Sequence, residues 1–439
     1  MIRAFSIALQ IRRRGSVETL LGGVFLILAV GGLAGCQPSA KPTQPVADAK
    51  PTYDLVLRDS NAGIAAGEAL VKGPIESSQG PATMVSLYTE RARLTGRYDD
   101  YGRAEDLLAR VPASLKTAEG VCLARAGLDY ALHRLSLAKQ TLDGCPSLAG
   151  KVDDLSMRAN IAFYRGRYKD AGIIYRTLVN QVGSPQTYIQ LALYSAKTGA
   201  PAEALAFLEA AEKRYYGGSA MMLSWMALQR GLIELDRGRY DEARALFTLA
   251  DQRLPGYWLN EEHLAEVAML NGDTASAKKV YESVVRRTGA PEYLDSLGSI
   301  EAQAGNTQAA KSLFDRAEAI YTVRAKRFPE AIAGHALAHY LKASPQPAKA
   351  LALAKANFTN RPYGDAAIAL AKAHLLNAQP RDAAQLIRQQ IAQGWDTAEA
   401  YWILSLADRA AGDAKSAETA ASEAQRRNPN SATQYAFAF

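Results

Sequence analysis

Apolar residues recur every three or four positions from about residue 82 onward, in segments of about three or four helical turns. Gly, Pro and Asn stand between these segments. Such spacing places the apolar side chains on one face of a helix, and no segment shows the alternation typical of a strand. The pattern therefore predicts a chain built from helices alone.

A longer period is superimposed on the helical one. A Gly is followed five residues later by an Ala at six places, which are Gly166/Ala171, Gly199/Ala204, Gly238/Ala243, Gly272/Ala277, Gly305/Ala310 and Gly412/Ala417. The first five glycines are 33, 39, 34 and 33 residues apart. Two helices joined by a tight turn approach closely only where both carry small residues, and Gly suits the left-handed backbone at the end of the first helix. The period thus predicts repeated helical hairpins.

These matches resemble the tetratricopeptide repeat, a helix–turn–helix unit of 34 residues. The resemblance implies an all-α, TPR-type α-solenoid over 82–430, a right-handed superhelix of about ten helical hairpins. Clear copies are expected at 152–185, 185–218, 224–257, 258–290, 291–324 and 398–430. Degenerate copies are expected at about 82–115, 119–150, 328–361 and 363–396, with Gly96, His133, Ser344 and Ala378 at their turns.

The N-terminus has the pattern of a targeting segment. Basic residues at 12–14 precede an apolar run at 20–33, which as a helix would be about 21 Å long and thus shorter than a hydrocarbon core of about 30 Å. The following "LAGC" at 33–36 resembles the lipobox of bacterial lipoproteins. The resemblance implies a cleaved signal peptide at 1–35 and an acylated Cys36, with an uncleaved anchor as the alternative. Since Gln37 and not Asp follows, it also implies a lipid anchor in the outer membrane, on the periplasmic side.

The flanks of the array are less regular. Residues 36–54 are rich in Pro, Ala, Lys and Thr, which predicts a flexible linker behind the lipidated N-terminus. Residues 55–81 form a poorly defined lead-in, in which "NAGIAAGEALVKG" is compatible with a short helix. The end, 431–439, is predicted to be a tail or a packing cap.

The formal charge of +7 falls to +4 without residues 1–35, and Lys and Arg are scattered along the rest. This distribution does not indicate nucleic-acid binding.

Besides Cys36, the sequence has two cysteines, Cys122 and Cys145. In an oxidising periplasm they are candidates for a disulfide, the alternative being two buried thiols whose Cα atoms are too far apart.

The resemblance also implies a binding surface, because the first helix of each hairpin lines a concave groove in tetratricopeptide proteins. The matching positions are Asn160, Gln190, Lys197, Trp225, Gln229, His263, Glu266, Asp295, Ser299 and Trp402. This set is polar around 160–197 and acidic around 262–295. It implies recognition of a protein or peptide segment.

The leading functional hypothesis is a non-enzymatic scaffold without cofactor or metal, which positions partners in pilus assembly, secretion, polysaccharide export or cell-wall synthesis. One alternative is a metal-dependent hydrolase using His335, His339 and His374, although Ala336 stands where the zinc-peptidase motif has its Glu. Another is a glycan- or lipid-binding protein that uses Trp225, Trp258 and Trp402. The sequence does not indicate an oligomeric state.

Overall fold

The computed structural model describes residues 51–437. The predicted signal peptide, Cys36 and nearly all of the predicted linker lie outside the described residues. Within 51–437, no helix combines the length and the apolar character that crossing a bilayer requires.

Ten consecutive helical hairpins form the described part of the chain, as the repeat pattern predicted. Their paired helices are α2 (Gln79–Thr95) and α3 (Asp99–Arg110), α4 (Glu119–Ala131) and α5 (Leu135–Asp143), α6 (Val152–Tyr164) and α7 (Tyr168–Gln181), α8 (Pro185–Lys197) and α9 (Pro201–Lys213), α10 (Ala220–Asp236) and α11 (Tyr240–Arg253), α12 (Trp258–Leu270) and α13 (Thr274–Thr288), α14 (Pro291–Gln303) and α15 (Thr307–Arg327), α16 (Pro329–Ala338) and α17 (Pro347–Asn360), α18 (Gly364–Leu376) and α19 (Pro380–Gln393), and α20 (Ala398–Ala410) and α21 (Ala414–Arg427). Helix α1 (Tyr53–Val71) precedes them and α22 (Ser431–Gln434) follows.

The lead-in and the tail are more ordered than the sequence pattern suggested. Helix α1 has 19 residues and begins inside the predicted linker, and α2 begins three residues before position 82. At the other end, the Gln434 amide donates to the Leu235 carbonyl over 3.2 Å, so the tail packs on α10. Only Ile64 and Val71 of α1 are buried.

The turn glycines have the conformation that the period predicted. Gly166, Gly199, Gly238, Gly272, Gly305 and Gly412 all have positive φ, between 72° and 89°. Among the degenerate hairpins, His133 at φ 62° and Ala378 at φ 54° take the same left-handed position. Ser344 also lies in the turn of its hairpin, as predicted, but its φ is −134° and therefore not left-handed. Helix α16 continues into a π-helical turn, His339–Ala343, and the wider turn closes the hairpin without a left-handed residue.

Small residues mark the closest approach of the paired helices. The alanines of the repeat are buried, with Ala171, Ala204, Ala243 and Ala277 all at 0% exposure. A Cβ atom added to Gly231 of α10 would lie 2.4 Å from the Phe247 ring of α11. The large residue four positions after each Ala thus fills space that only a small residue on the facing helix leaves open.

The superhelix is wound tightly enough for its second turn to pack on its first. Arg134 Nε lies 3.3 Å from Glu330 Oε2, and the Tyr168 hydroxyl donates to Gln390 over 2.8 Å. Each contact joins hairpins that are six apart in the chain, so one turn takes about six hairpins. We call these contacts between the first and second turns the inter-turn seam.

The inter-turn seam has its own apolar core. Trp395, which is fully buried, lies between α19 and α20 in the second turn. Its ring centroid is 5.9 Å from that of Phe163 and 5.5 Å from that of Tyr168, both in the first turn. Aromatic pairs at such distances add to the stabilisation from burial.

Cys122 and Cys145 are joined by a disulfide within the second hairpin and its following loop. Their Cα atoms are 6.3 Å apart, inside the range that a bridge requires. This distance excludes the alternative of two thiols too far apart to react.

Substitution of Gly231 by Ala is expected to lower the free energy of unfolding by about 1–3 kcal/mol, because the new methyl group overpacks against Phe247. Gly63→Ala is the matched control, since nothing lies within 4 Å of the added Cβ atom in α1. The control should raise the free energy of unfolding by about 0.5–1 kcal/mol. Thermal unfolding followed by circular dichroism measures both, and equal effects of the two variants would contradict the close-approach interpretation.

Candidate functional site

A cavity of about 250 Å³ lies inside the superhelix. Its walls come mainly from the first helices of successive hairpins in the first turn and the start of the second, α2, α4, α6, α10, α12, α14 and α16. Phe437, from the tail, also lies at its wall. Because about six hairpins complete a turn, these helices surround a common interior space, which we call the central cavity.

The central cavity combines aromatic rings with charges of both signs. The aromatic side chains are Tyr98, Tyr101, Tyr130, Tyr164, Trp258, Tyr293, Tyr321 and Phe437. The charged ones are Arg93, Arg324, Lys342, Arg361, Glu262, Glu292 and Asp295, and His133, His263 and His335 add three imidazoles. Such a lining can bury apolar groups and also bind polar ones.

Four of the ten predicted groove residues line the central cavity: Gln229, His263, Asp295 and Ser299. Lys197 instead lines a second cleft at the inter-turn seam, about 420 Å³ in volume, together with Asp236 and Arg427. The predicted groove is therefore divided in the structure.

The other five predicted groove residues are engaged in packing, which corrects their assignment to an open surface. Asn160 Oδ1 accepts hydrogen bonds from the Tyr175 hydroxyl over 2.8 Å and from the Gln190 amide over 3.4 Å. Trp225 belongs to the hydrophobic core, and Trp402 packs against the core at the seam. The remaining residue is Glu266, whose Oε2 is hydrogen-bonded to His263 Nδ1 over 3.0 Å. Neighbouring helices cover these side chains, since Tyr175 and Gln190, the partners of Asn160, belong to α7 and α8.

The three histidines of the hydrolase alternative do not meet. His335 Nδ1 lies 3.3 Å from Glu292, His339 Nδ1 lies 2.7 Å from Asp295, and His374 Nδ1 lies 2.7 Å from Gln379. The group of possible metal ligands that come within 4.8 Å of one another in 51–437 does not include them. A three-histidine metal site is therefore not formed, because each imidazole makes a different polar contact.

The three tryptophans of the glycan or lipid alternative are also separated. Trp258 lines the central cavity and donates from Nε1 to the Leu94 carbonyl over 2.9 Å. Trp225 and Trp402 do not line it, and they lie in two different parts of the core. A shared tryptophan platform is therefore not formed.

Of the seven charged residues at the cavity wall, the sequence interpretation identified only Asp295, and Glu262 is one of the six that it missed. Together with His263 and Glu266 it forms a group on one turn of α12 whose polar atoms lie within 4.8 Å of one another. Burial raises the pKa of Glu262 to about 7. Burial opposes the charging of His263, but the neighbouring Glu262 and Glu266 carboxylates outweigh it and raise the pKa of that imidazole. The spacing i, i+1, i+4 within "EEHLAE" is the signal that identifies the group.

Asp295 is a second perturbed carboxyl group at the cavity wall. Burial raises its pKa to about 6, opposed by the hydrogen bond to His339. The Tyr321 hydroxyl also donates to Asp295 Oδ2, over 3.4 Å. These contacts hold the side chain in one orientation beside the cavity.

Ten hairpins, left-handed glycines at their turns and buried alanines at their crossings together define the architecture. The chain folds as a tetratricopeptide-type α-solenoid. No protein-family model matches this solenoid. Over 98 residues it is 41% identical to "Cellulose synthase 2 operon protein C" of Komagataeibacter xylinus, an alignment that covers 21% of the solenoid chain and only 7% of that protein.

Solved structures similar to this tetratricopeptide-type solenoid include the APC/C hetero-tetramer Cut9–Hcn1, at 15% identity and a TM-score of 0.40, covering 87% of this chain and 84% of that one. A tetratricopeptide repeat protein from Parabacteroides merdae is 17% identical, with a TM-score of 0.33 and coverage of 55% and 93%. Yeast Tom70 is 15% identical, with a TM-score of 0.33 and coverage of 82% and 92%.

Asp295→Asn is expected to change the pH dependence of stability. Because the folded-state pKa of about 6 lies above the ordinary value, the stability associated with protonated Asp295 is present below about pH 4 and lost as pH rises through about 6. The variant should therefore gain on the order of 2 kcal/mol relative to wild type between about pH 4.5 and 7.5. Melting temperatures of the variant and the wild type at about pH 4.5 and about pH 7.5 measure this difference in stability. Ser299→Ala, a neighbouring variant without a titrating group, is the control, and a pH-independent difference for Asp295→Asn would contradict the expectation.

Proposed function

We propose that this solenoid is a non-enzymatic scaffold that holds a short segment of a partner protein in the central cavity. The observation that supports this most directly is the lining, which combines aromatic rings with charged and amide side chains. A polypeptide segment offers matching groups, because its side chains can pack on aromatic rings while its backbone donates and accepts hydrogen bonds.

Buried polar atoms at the wall support the same occupant. The Tyr130 hydroxyl and Arg361 Nε have no hydrogen-bond partner among the described residues, although these residues are only 3% and 4% exposed. Buried polar groups in proteins are nearly always hydrogen-bonded. A backbone carbonyl of a bound segment would accept from either group.

The proposed cellular setting is the periplasmic face of the outer membrane, with the solenoid tethered by acyl chains on Cys36 and the linker that follows it. Two or more acyl chains bind a bilayer stably. The K. xylinus relative is by its name a cellulose synthase operon protein. Among envelope processes, this likeness favours polysaccharide export as the pathway in which the scaffold positions its partner.

A photo-crosslinking amino acid at Gln229 or at Ser299 tests the site in intact cells, because both residues line the central cavity. We expect one protein to be captured from both positions, with the crosslink mapping to one short segment of it. Leu137, which is 47% exposed on α5 and outside the cavity, is the control position and should not capture that protein.

Adding the substitution Tyr130→Phe to either crosslinking variant should reduce the crosslink yield about fivefold. The substitution removes the proposed hydrogen bond from the Tyr130 hydroxyl to the partner segment, and one hydrogen bond contributes about 1 kcal/mol. Equal capture from Leu137, or capture of non-protein material alone at the cavity positions, would contradict the proposal.

The anchor is tested separately by labelled palmitate. We expect the wild-type protein to incorporate the label and to fractionate with the outer membrane, and Cys36→Ser to do neither. The thiol is the acceptor in the proposed acylation, so labelling of Cys36→Ser would show that the assignment of Cys36 is wrong. Cys122→Ser is the matched control and should keep the label.

A further inference from the structure

Three side chains on one turn of α12, Glu262, His263 and Glu266, bring an imidazole between two carboxylates. We call this group the α12 triad. His263 Nδ1 lies 3.0 Å from Glu266 Oε2 and 3.3 Å from Glu262 Oε2. All three residues are at most 5% exposed. Buried carboxylates are costly unless a counter-charge or hydrogen-bond donors compensate them.

One imidazole cannot donate to both carboxylates through the same nitrogen. Nδ1 carries at most a single hydrogen, and the Nδ1–Glu266 contact is the one with hydrogen-bond geometry. Glu262 Oε2 accepts no hydrogen bond within the described part of the chain, although Glu262 is only 2% exposed. Because this buried oxygen lacks a donor, we expect a positively charged species that contacts both carboxylates at once.

The spacing of the triad matches the coordination sphere of a small divalent ion. Zinc binds imidazole nitrogen and carboxylate oxygen at about 2.0–2.2 Å, and tetrahedral geometry then separates neighbouring ligand atoms by about 3.3–3.6 Å. The separations of 3.0 Å and 3.3 Å are close to this range before any adjustment of the side chains. The Phe247 ring stacks on the imidazole at 5.1 Å and fixes its plane.

We propose that the α12 triad is a binding site for a divalent zinc-class metal ion, with His263 Nδ1 and one oxygen each of Glu262 and Glu266 as ligands. The ion takes the place of the Nδ1 hydrogen and neutralises both carboxylates. Because Glu262 and His263 line the central cavity, an ion can reach the triad from the cavity. Zn²⁺ binding by the triad does not require the proposed protein partner, because all three ligands belong to this chain.

Titration of the purified, tag-free protein with Zn²⁺ in competition with a chromogenic chelator tests the site. We expect one Zn²⁺ per chain, and an affinity at least tenfold weaker for Glu262→Gln and for Glu266→Gln, because each variant replaces an anionic ligand by a neutral amide. Glu292→Gln is the matched control, since Glu292 lines the same cavity and contacts His335 but stands outside the triad. It should bind like wild type.

Melting temperatures with and without Zn²⁺ provide a second readout that does not depend on the chelator. Zinc should raise the melting temperature of the wild type and of Glu292→Gln, and should leave that of Glu262→Gln unchanged. Absence of stoichiometric Zn²⁺ binding by the wild-type protein would overturn the proposal whatever the variants do. Equal affinities of Glu262→Gln and Glu292→Gln would overturn the assignment to the triad.

Discussion

The close approach of two helices within each hairpin is the constraint from which the other features of the molecule follow. It requires an Ala or a Gly wherever the helices cross, and a large ring on one helix then fills the space beside a small residue on the other, as Phe247 does beside Gly231. Repetition of this unit at nearly constant spacing fixes a nearly constant rotation between neighbours. The rotation here completes a turn after about six hairpins, and with ten hairpins the chain begins a second turn.

The second turn changes what the inner surface can do. An open solenoid presents its first helices to solvent as a long groove, whereas here the inner faces of these helices enclose the central cavity. Charged groups at its wall are consequently withdrawn from water, and burial accounts for the raised pKa of both Glu262 and Asp295. The same withdrawal leaves buried polar atoms, such as the Tyr130 hydroxyl, that can discriminate between occupants.

The period of the sequence predicted the hairpins, their number and most of their turns because these properties depend on residues close together in the chain. His133 and Ala378 were placed at left-handed turns by register alone, and the structure has them there. The winding of the superhelix could not be predicted in this way. It depends on small rotations between neighbouring hairpins that add up over six of them, and no local sequence pattern reveals the total rotation. Asn160, Gln190 and Trp225, which the resemblance placed in a groove, are instead buried among neighbouring helices. The partners of Glu262 and His263 follow from spacing on one helix and were within reach of the sequence.

The inter-turn seam gives the solenoid a property that simple repeat arrays lack. In an open array each hairpin contacts only its neighbours, so local unfolding spreads along the chain step by step. Here Tyr168 bonds Gln390 and the Leu235 carbonyl accepts from Gln434, across 222 and 199 residues of sequence. The last hairpins thereby support the first turn of the superhelix, so that unfolding of either turn removes contacts that stabilise the other.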